Sequence, residues 1–320
     1  MNKITPLIAV SIITLLLVVL ETRPLPTNNV LWVSILNTGH APMFGIISIS
    51  LLILIRHLNT QLSNKILHVY ILVFFLSLLL ALSSEWLQSF NPQREADIID
   101  FLFDITGSIT FLLVYFLYDP KVKVEASRCN SPIRRLILAF VALSWIVVST
   151  PLLITFYTYH QQSNIFPRLI SVQNNISMPF ISTRSGKINI QKIPATWAKN
   201  KSSKAIKWET NLTTDWPFIR IDENIANWKN YNKLILNIIS TSRQKVRLIL
   251  RTDDLDFSGG QPHRIQTHAT LNHGHNRVTL NLNQSPSTLL FLKNRIKHVW
   301  LALPKPSHQH TFYITDLYLE

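Results

Sequence analysis

The chain has 320 residues, of which 47% are hydrophobic and only 15% are charged, and its mean hydropathy is +0.19. Soluble globular proteins carry about 25% charged residues, so this composition argues against an ordinary cytosolic protein, and equally against a disordered chain or a collagen. The single cysteine, Cys129, excludes an intramolecular disulfide and any cysteine-based zinc site. Seven glycines, with no GxGxxG or GxxxxGK[ST] motif among them, argue against a glycine-rich nucleotide loop.

The two halves of the sequence differ in charge and in hydropathy. Residues 1–160 hold 10 Lys and Arg against 8 Asp and Glu, whereas residues 161–320 hold 21 against 9, a net charge of +12. All of the long apolar runs lie in the first half. We therefore predict a membrane all-α helical bundle followed by a strongly basic, soluble all-β domain.

Five apolar runs predict transmembrane helices, because each is near the about 17–25 residues that cross the hydrocarbon core. In chain order they are Ile4–Leu20, Pro42–Ile55, Ile66–Leu82, Phe101–Tyr118 and Leu136–Tyr157. The second is the shortest and is expected to extend back toward Ile35. No small-x-small cleavage site follows the first run, which favours an uncleaved signal anchor over a signal peptide.

Basic residues in alternate loops predict the orientation of the bundle. Lys3 precedes the first span, Arg56 and Lys65 lie between the second and third, and a basic loop joins the fourth and fifth. The positive-inside rule then places the N-terminus in the cytoplasm. With five spans the C-terminal half is extracytoplasmic, so we expect a multi-pass protein of an inner or plasma membrane whose first partner is the lipid bilayer.

Period-two alternation in the second half predicts strands. The candidates are Ile219–Asp222, Lys233–Ile239, Lys245–Arg251, Ile265–Thr270, Arg277–Leu282, Ile296–Leu303 and Thr311–Leu319. Short strands without helices between them indicate a jelly-roll-like β-sandwich. The predicted domains are residues 1–120 as a four-helix membrane domain, 121–160 as a cytoplasmic basic loop and fifth helix, 161–200 as a linker with the first strands, and 201–320 as the sandwich.

A cluster of polar residues is predicted at the outer ends of the second, third and fourth spans. Glu85 and Gln88 are three residues apart and share a face of the third span, and the 3–4 spacing of Asp97, Asp100 and Asp104 puts these carboxylates on one face of the fourth. Arg94 stands just before the fourth span, and His40 lies at the outer mouth of the second.

Two interpretations of these acids are open. Acids at a helix N-terminus suit the macrodipole and can simply be solvated, which is the stronger interpretation for Glu95 and Asp97. That account does not suit Asp104, which lies several residues inside the span, because a carboxylate in lipid needs a partner, a proton or an ion. For Glu85, Arg94, Asp100 and Asp104 as a set, we predict a functional site.

This stretch resembles the VanZ-like family of membrane proteins, named for a teicoplanin-resistance protein. The family pattern places a His early in one span, then E-x-x-Q, then R-x-x-S-x-x-D-x-x-x-N-x-x-G. The matching residues are His40, Glu85, Gln88, Arg94, Asp100 and Gly107, whereas Asp97 and Asp104 stand where Ser and Asn are usual. The resemblance covers about residues 5–120.

The resemblance implies a role in the cell envelope and lowered glycopeptide sensitivity, without defining a reaction, so enzymatic activity stays open. We assign candidate catalytic roles to Glu85, Arg94, Asp100 and Asp104, and candidate ligand-binding roles to His40, Gln88 and Asp97. Arg94 suits the phosphate of a lipid-linked or phosphate-bearing head group, and Asp100 or Glu85 suits a base or a ligand for a divalent cation such as Mg²⁺ or Ca²⁺.

The alternative is a non-catalytic, membrane-anchored protein that binds a glycan or another anionic polymer, with a structural membrane cluster. The strand rhythm of the second half resembles carbohydrate-binding jelly rolls of the galactose-binding-like type, and Trp228 is a candidate for stacking on a sugar. The +12 charge predicts anionic envelope polymers or phospholipid head groups as partners, and not nucleic acid. Metal binding by His263, His268, His273 and His275, or Ca²⁺ binding by Asp253, Asp254 and Asp256, is a weaker prediction than solvated turns.

Overall fold

The computed structural model describes residues 8, 10–15, 29–58, 65–90, 97–120, 122, 131–172, 177–198, 203–223, 225–256, 263–283 and 291–320. The chain divides into two compact units, Met1–Phe156 and Tyr157–Glu320. The first is helical, and the second is built mainly from strands.

Four long helices follow the apolar runs of the sequence. They are α1 (Val30–Leu58), α2 (Ile66–Gln88), α3 (Ile98–Tyr118) and α4 (Ser131–Ile165). All four are long and apolar enough to cross a membrane, which confirms the helices predicted for the second to fifth spans. The second predicted span corresponds to α1, which starts at Val30 and carries Pro42 inside the helix. Of the first predicted span, residues 8 and 10–15 are described and are helical, and the remainder lies outside the described residues.

A close contact between α1 and α3 positions the polar groups of the helical unit. A Cβ atom added to Gly107 would lie 1.8 Å from the carbonyl oxygen of Ala41, so the backbones touch at this point. Small residues allow this approach, which gives transmembrane helices their van der Waals packing. Phe44, Ile47 and Ala81 form a buried apolar cluster in the same unit.

In the residues that the structure describes, the second unit contains the end of α4, one short 3₁₀ helix, Met178–Phe180, and ten strands. The strands are β1 (Ile181–Arg184), β2 (Gly186–Lys192), β3 (Lys204–Thr210), β4 (Phe218–Ile221), β5 (Lys233–Ser240), β6 (Val246–Asp254), β7 (Arg264–Leu271), β8 (Gly274–Asn281), β9 (Ile296–Ala302) and β10 (Thr311–Leu319). Their antiparallel pairs give two five-stranded sheets, with orders β1-β4-β9-β6-β7 and β2-β3-β10-β5-β8. The predicted all-β sandwich is therefore confirmed.

The core of the sandwich comes from the alternate residues that the sequence pattern singled out. Leu248, Leu250, Val299 and Leu301 are fully buried members of one apolar cluster, while their neighbours along β6 and β9 point to the outer face of the sheet. All seven predicted strands are present within a few residues of their predicted bounds. Strands β1 and β2 lie in the region 161–200 and pair with β4 and β3, so this region contributes to both sheets.

An ion-paired carboxylate beside β4 gives the sandwich an acid-sensitive contact. Asp222 accepts a hydrogen bond from Arg220 Nε at 2.9 Å and forms an ion pair with His298 Nδ1 at 2.5 Å. Burial alone raises the pKa of Asp222, but contact with His298 and the charge of Arg220 outweigh burial, so the net effect is a lowered pKa.

We expect this contact to stabilise the sandwich fully at pH values above 3.8, the ordinary pKa of Asp. The stabilisation should be lost as the pH falls from there through the lowered pKa of Asp222 in the folded protein. Asp222→Asn should therefore cost about 1 kcal/mol at neutral pH and flatten the loss of stability below that pKa. Thermal unfolding of the full chain from neutral to acid pH, followed by tryptophan fluorescence, measures both effects.

Asp316→Asn is the control for this prediction, because burial raises the pKa of Asp316 despite the charge of Arg168. The control should leave stability at neutral pH unchanged or improved. Equal losses in both variants would contradict the assignment of the acid-sensitive contact to Asp222.

Candidate polar site in the helical unit

Four ionisable side chains from three helices meet in the helical unit, and we call them the polar cluster: His40 on α1, Glu85 on α2, and Asp100 and Asp104 on α3. His40 Nδ1 lies 3.0 Å from Asp104 Oδ1, and His40 Nε2 lies 3.8 Å from Asp100 Oδ2. Both imidazole nitrogens therefore face a carboxylate. Sequence spacing predicted that these residues lie together, and the structure places them so.

The start of α3 orients its two carboxylates. The Asp97 side chain accepts a hydrogen bond from the Ile99 N–H at 2.9 Å, which makes Asp97 the N-cap of the helix. The Asp97 N–H donates to Glu85 Oε2 at 3.0 Å and ties the end of α2 to the start of α3. Because Asp100 and Asp104 are four residues apart, both then face α1. Asp97 contributes a cap to this arrangement, as the macrodipole interpretation expected.

Three members of the polar cluster lie close enough together to hold a metal ion. One ligand atom each from His40, Glu85 and Asp100 lie within 4.8 Å of one another. An imidazole and two carboxylates leave coordination positions open for a substrate oxygen. The imidazole suits Mn²⁺ or Zn²⁺ better than Mg²⁺ or Ca²⁺, which prefer ligand sets made only of oxygen.

The polar cluster is largely withdrawn from solvent. Asp104 is fully buried, and His40 and Asp100 are 5% and 8% exposed. Among the described residues, three carboxylates surround one imidazole. Carboxylates in a low dielectric need protons, cations or hydrogen-bond donors beside them, and a bound cation would meet that need.

A second set of polar side chains in the helical unit pairs one positive charge with one negative charge. Arg56 Nη2 lies 2.5 Å from Asp119 Oδ2, and the Tyr70 hydroxyl donates to the same oxygen at 2.9 Å. The Arg56 guanidinium also lies 5.3 Å from the centre of the Tyr70 ring, in cation–π range. We call these residues the arginine tie. It joins the end of α1, the start of α2 and the residue after α3, at the helix ends opposite those that carry the polar cluster.

The pairing of Arg56 with Asp119 was not predicted, because Arg56 entered the prediction only as a positive charge that sets the orientation of the helices. The sequence did contain a sign of the pair, since one cation ends the second span and one acid directly follows the fourth. A satisfied ion pair of this kind fits a structural role.

The remaining predicted site residues have different surroundings. The Gln88 side chain is buried, and its amide nitrogen lies 3.4 Å from Ser84 Oγ, one turn earlier on α2. Arg94 belongs to residues 91–96, which lie outside the described residues. The prediction that Trp228 stacks on a sugar is wrong, because the side chain is fully buried in the sandwich core and its Nε1 donates to the Ile225 carbonyl at 2.7 Å.

The acidic turn of the sandwich is held by hydrogen bonds from the protein. Asp254 Oδ2 lies 3.2 Å from His263 Nδ1 and accepts from the Leu292 N–H at 2.9 Å. Asp256 donates its N–H to Asp254 Oδ1 at 3.0 Å and accepts from Arg295 Nη1 at 3.0 Å. Since donors of the protein occupy these oxygens, the arrangement fits a structural turn.

Comparison with known proteins finds similarity of fold alone. No protein-family model matches the chain, and no curated protein matches it. An exo-β-agarase structure is 12% identical with a TM-score of 0.36, covering 44% of this chain and 23% of the agarase. A family 11 carbohydrate-binding module from Clostridium thermocellum, solved with a β-1,3-1,4-mixed-linked tetrasaccharide, is 12% identical with a TM-score of 0.32, covering 44% of this chain and 88% of the module. A carbohydrate-binding module specific for non-crystalline cellulose, CBM28, is 10% identical with a TM-score of 0.32, covering 42% of this chain and 79% of the module.

The chain thus spans about a quarter of the length of the agarase that it matches. Because no family model matches, membership of the VanZ-like family stays a prediction.

Proposed function

We propose that this chain is an integral membrane protein of the cell envelope that holds a phosphate-bearing or lipid-linked head group at the polar cluster. The observation that carries the proposal is the convergence of His40, Glu85 and Asp100 within 4.8 Å from three separate helices. The spacing that resembles the VanZ-like pattern selects the same residues. That resemblance adds the expectation of an effect on glycopeptide sensitivity.

The location of the polar cluster along the helices supports access from the outer leaflet. Glu85 lies in the last turn of α2 and Asp100 in the first turn of α3, so both flank the connection between these helices. The distribution of Lys and Arg between loops favours the outer side of the membrane for that connection. A head group in the outer leaflet would then lie at the same depth in the membrane as the polar cluster.

The chemistry of the polar cluster calls for a bridging cation. A divalent ion held by His40, Glu85 and Asp100 would attract a phosphate, which carboxylates by themselves do not bind. Arg94, in the same connection, supplies a fixed positive charge for a second phosphate oxygen. Should the protein catalyse a reaction, a carboxylate of the cluster would be its general base and the bridging ion its Lewis acid.

Native mass spectrometry of the detergent-purified protein tests the proposal. We expect wild type to carry a specific phosphate-bearing or lipid-linked adduct with a divalent metal ion, and Asp100→Asn to lose both. Asp97→Ser is the matched control, since it removes a neighbouring carboxylate while serine keeps the N-cap. Identical bulk lipid profiles without a bound ion in all three proteins would overturn the proposal and make the polar cluster structural.

A second candidate function is a non-catalytic, membrane-anchored receptor for an anionic glycan. The observation that favours it is the charge of residues 161–320, 21 Lys and Arg against 9 Asp and Glu, in the region that forms the sandwich. Such a domain attracts anionic polymers from a distance. This function leaves the polar cluster with a structural role.

A further inference from the structure

The outer face of the sheet β1-β4-β9-β6-β7 presents a row of polar and aromatic side chains. The register aligns Arg220, Trp300, Arg251 and Gln266 across β4, β9, β6 and β7. Their neighbours along each strand, such as Val299 and Leu250, are buried in the core. The row therefore lies on the side of the sheet that faces away from the core.

Buried or part-buried acids hold the arginines of this row in place. Arg251 donates to both carboxylate oxygens of Asp253, at 2.7 and 2.6 Å, and the Asp253 side chain is fully buried. Arg220 is held by Asp222, directly after β4, through its Nε at 2.8 and 2.9 Å from the two carboxylate oxygens. Both guanidinium groups lie 5.3 Å from the centre of the Trp300 ring, one on each neighbouring strand. Little side-chain entropy remains to be lost when such groups bind a ligand.

A groove of about 340 Å³ lies beside this row. Its lining consists of Trp216, Ile249, Arg251, Arg264, Gln266, His268 and Ala302. Ala302 and Ile249 are cross-strand neighbours and form a small apolar floor, whereas Trp216 is 47% exposed and stands free to stack on a ligand. The volume falls within the range of small-molecule sites.

The lining of the groove specifies the chemistry of the ligand. The described lining holds two arginines, a glutamine and a histidine but no carboxylate. Arg251 already donates to Asp253 through Nε and Nη2, and the Gln266 and His268 side chains pair with each other at 3.3 Å, so a ligand would use the remaining N–H groups of the arginines. A ligand rich in acceptors and carrying negative charge complements this set. An exposed indole adds a flat apolar surface of the kind that stacks on a sugar ring.

We infer that this groove binds an acidic saccharide, whose ring stacks on Trp216 while its carboxylate or phosphate pairs with Arg251 and Arg264. The inference rests on the second candidate function and names its binding site. The opposite outer face is less suited, because Trp197 and Ile193 pack on a patch formed there by Ala205, Ile239 and Tyr313. A groove of about 350 Å³ at Lys245 and Lys305 carries cations but no Trp, Tyr or Phe in its lining.

Calorimetric titration of the full chain in detergent tests the inference, with an oligogalacturonate as the probe and a neutral gluco-oligosaccharide of the same length for comparison. We expect the acidic probe to bind, and to bind more weakly as salt is added. Trp216→Ala and Arg264→Gln should each weaken binding about tenfold. Leu212→Ala, at an exposed apolar residue of the same connection, and Arg277→Gln, a charge loss on the other sheet, should change it less than twofold.

The outcomes separate the groove from the receptor function. If Trp216→Ala and Arg264→Gln leave binding of the acidic probe intact, the groove is not the binding site, while the receptor function stands. No binding of either oligosaccharide to the wild-type chain would overturn both. Equal binding of the neutral probe would overturn the acidic ligand, and competition by phosphatidylglycerol vesicles alone would replace the saccharide by a lipid surface.

Discussion

Gly107→Ala is expected to destroy the packing of α1 against α3 and, with it, the polar cluster. The added Cβ would lie 1.8 Å from the Ala41 carbonyl oxygen, and that atom belongs to a helix backbone that cannot rotate away. The two helices would have to separate, at a cost of about 3 kcal/mol or more. His40 precedes Ala41 and Asp104 lies one turn before Gly107, so their 3.0 Å contact would be lost as well. The yield of monodisperse protein after extraction, and its thermal midpoint, measure the effect.

Two glycines of α1, Gly39 and Gly45, are controls at which an alanine should destabilise the protein less than at Gly107. At Gly39 an added Cβ meets nothing within 4 Å, so Gly39→Ala should be neutral or stabilise the helix by about 1 kcal/mol. At Gly45 the contact is with the Phe111 side chain at 2.4 Å, and a ring can move where a backbone cannot. Gly45→Ala should therefore fall between the other two. A Gly107→Ala protein as stable as Gly39→Ala would contradict the close helix contact.

The sandwich was predictable because local pattern and burial agree along most of its strands. In β6, Val246, Leu248 and Leu250 face the core and alternate with Arg247, Ile249 and Arg251, so the pattern marks the core face despite the apolar Ile249. The predicted region 161–200 was harder, because no residue of β2 is fully buried, although Ile188 and Ile190 alternate with polar residues and pack against the core. Which strands become neighbours depends on long-range pairing, such as β9 between β4 and β6, which no local pattern encodes.

For the polar cluster, spacing predicted membership but not pairing. Helical periodicity was enough to bring Asp100 and Asp104 to one face, yet it could not show that both nitrogens of His40 would face them. The arginine tie was missed because its partners come from spans that are not adjacent in sequence. Trp228 was misassigned because an aromatic residue in a loop has the same sequence signature whether its ring is exposed or buried.

The polar cluster and the arginine tie should respond in opposite directions to the loss of one carboxylate. Asp119→Asn leaves the Arg56 guanidinium without its charge partner in a buried position, which should lower the free energy of unfolding by about 3 kcal/mol. Asp100→Asn removes one of three carboxylates that repel one another, which should raise stability by about 1 kcal/mol when a chelator is present. Thermal unfolding in mild detergent with a chelator measures both changes.

Added divalent cation turns this comparison into a test of what the polar cluster is for. A functional site keeps a repulsive arrangement because its ligand needs it, so the cation should stabilise wild type and Asp119→Asn by similar amounts and leave Asp100→Asn unchanged. At a cation concentration 100 times the dissociation constant, the gain would be about 2.7 kcal/mol. If Asp100→Asn is instead destabilised in chelator as strongly as Asp119→Asn, His40 and Asp100 form a structural ion pair, and the case for a cation site at the polar cluster falls.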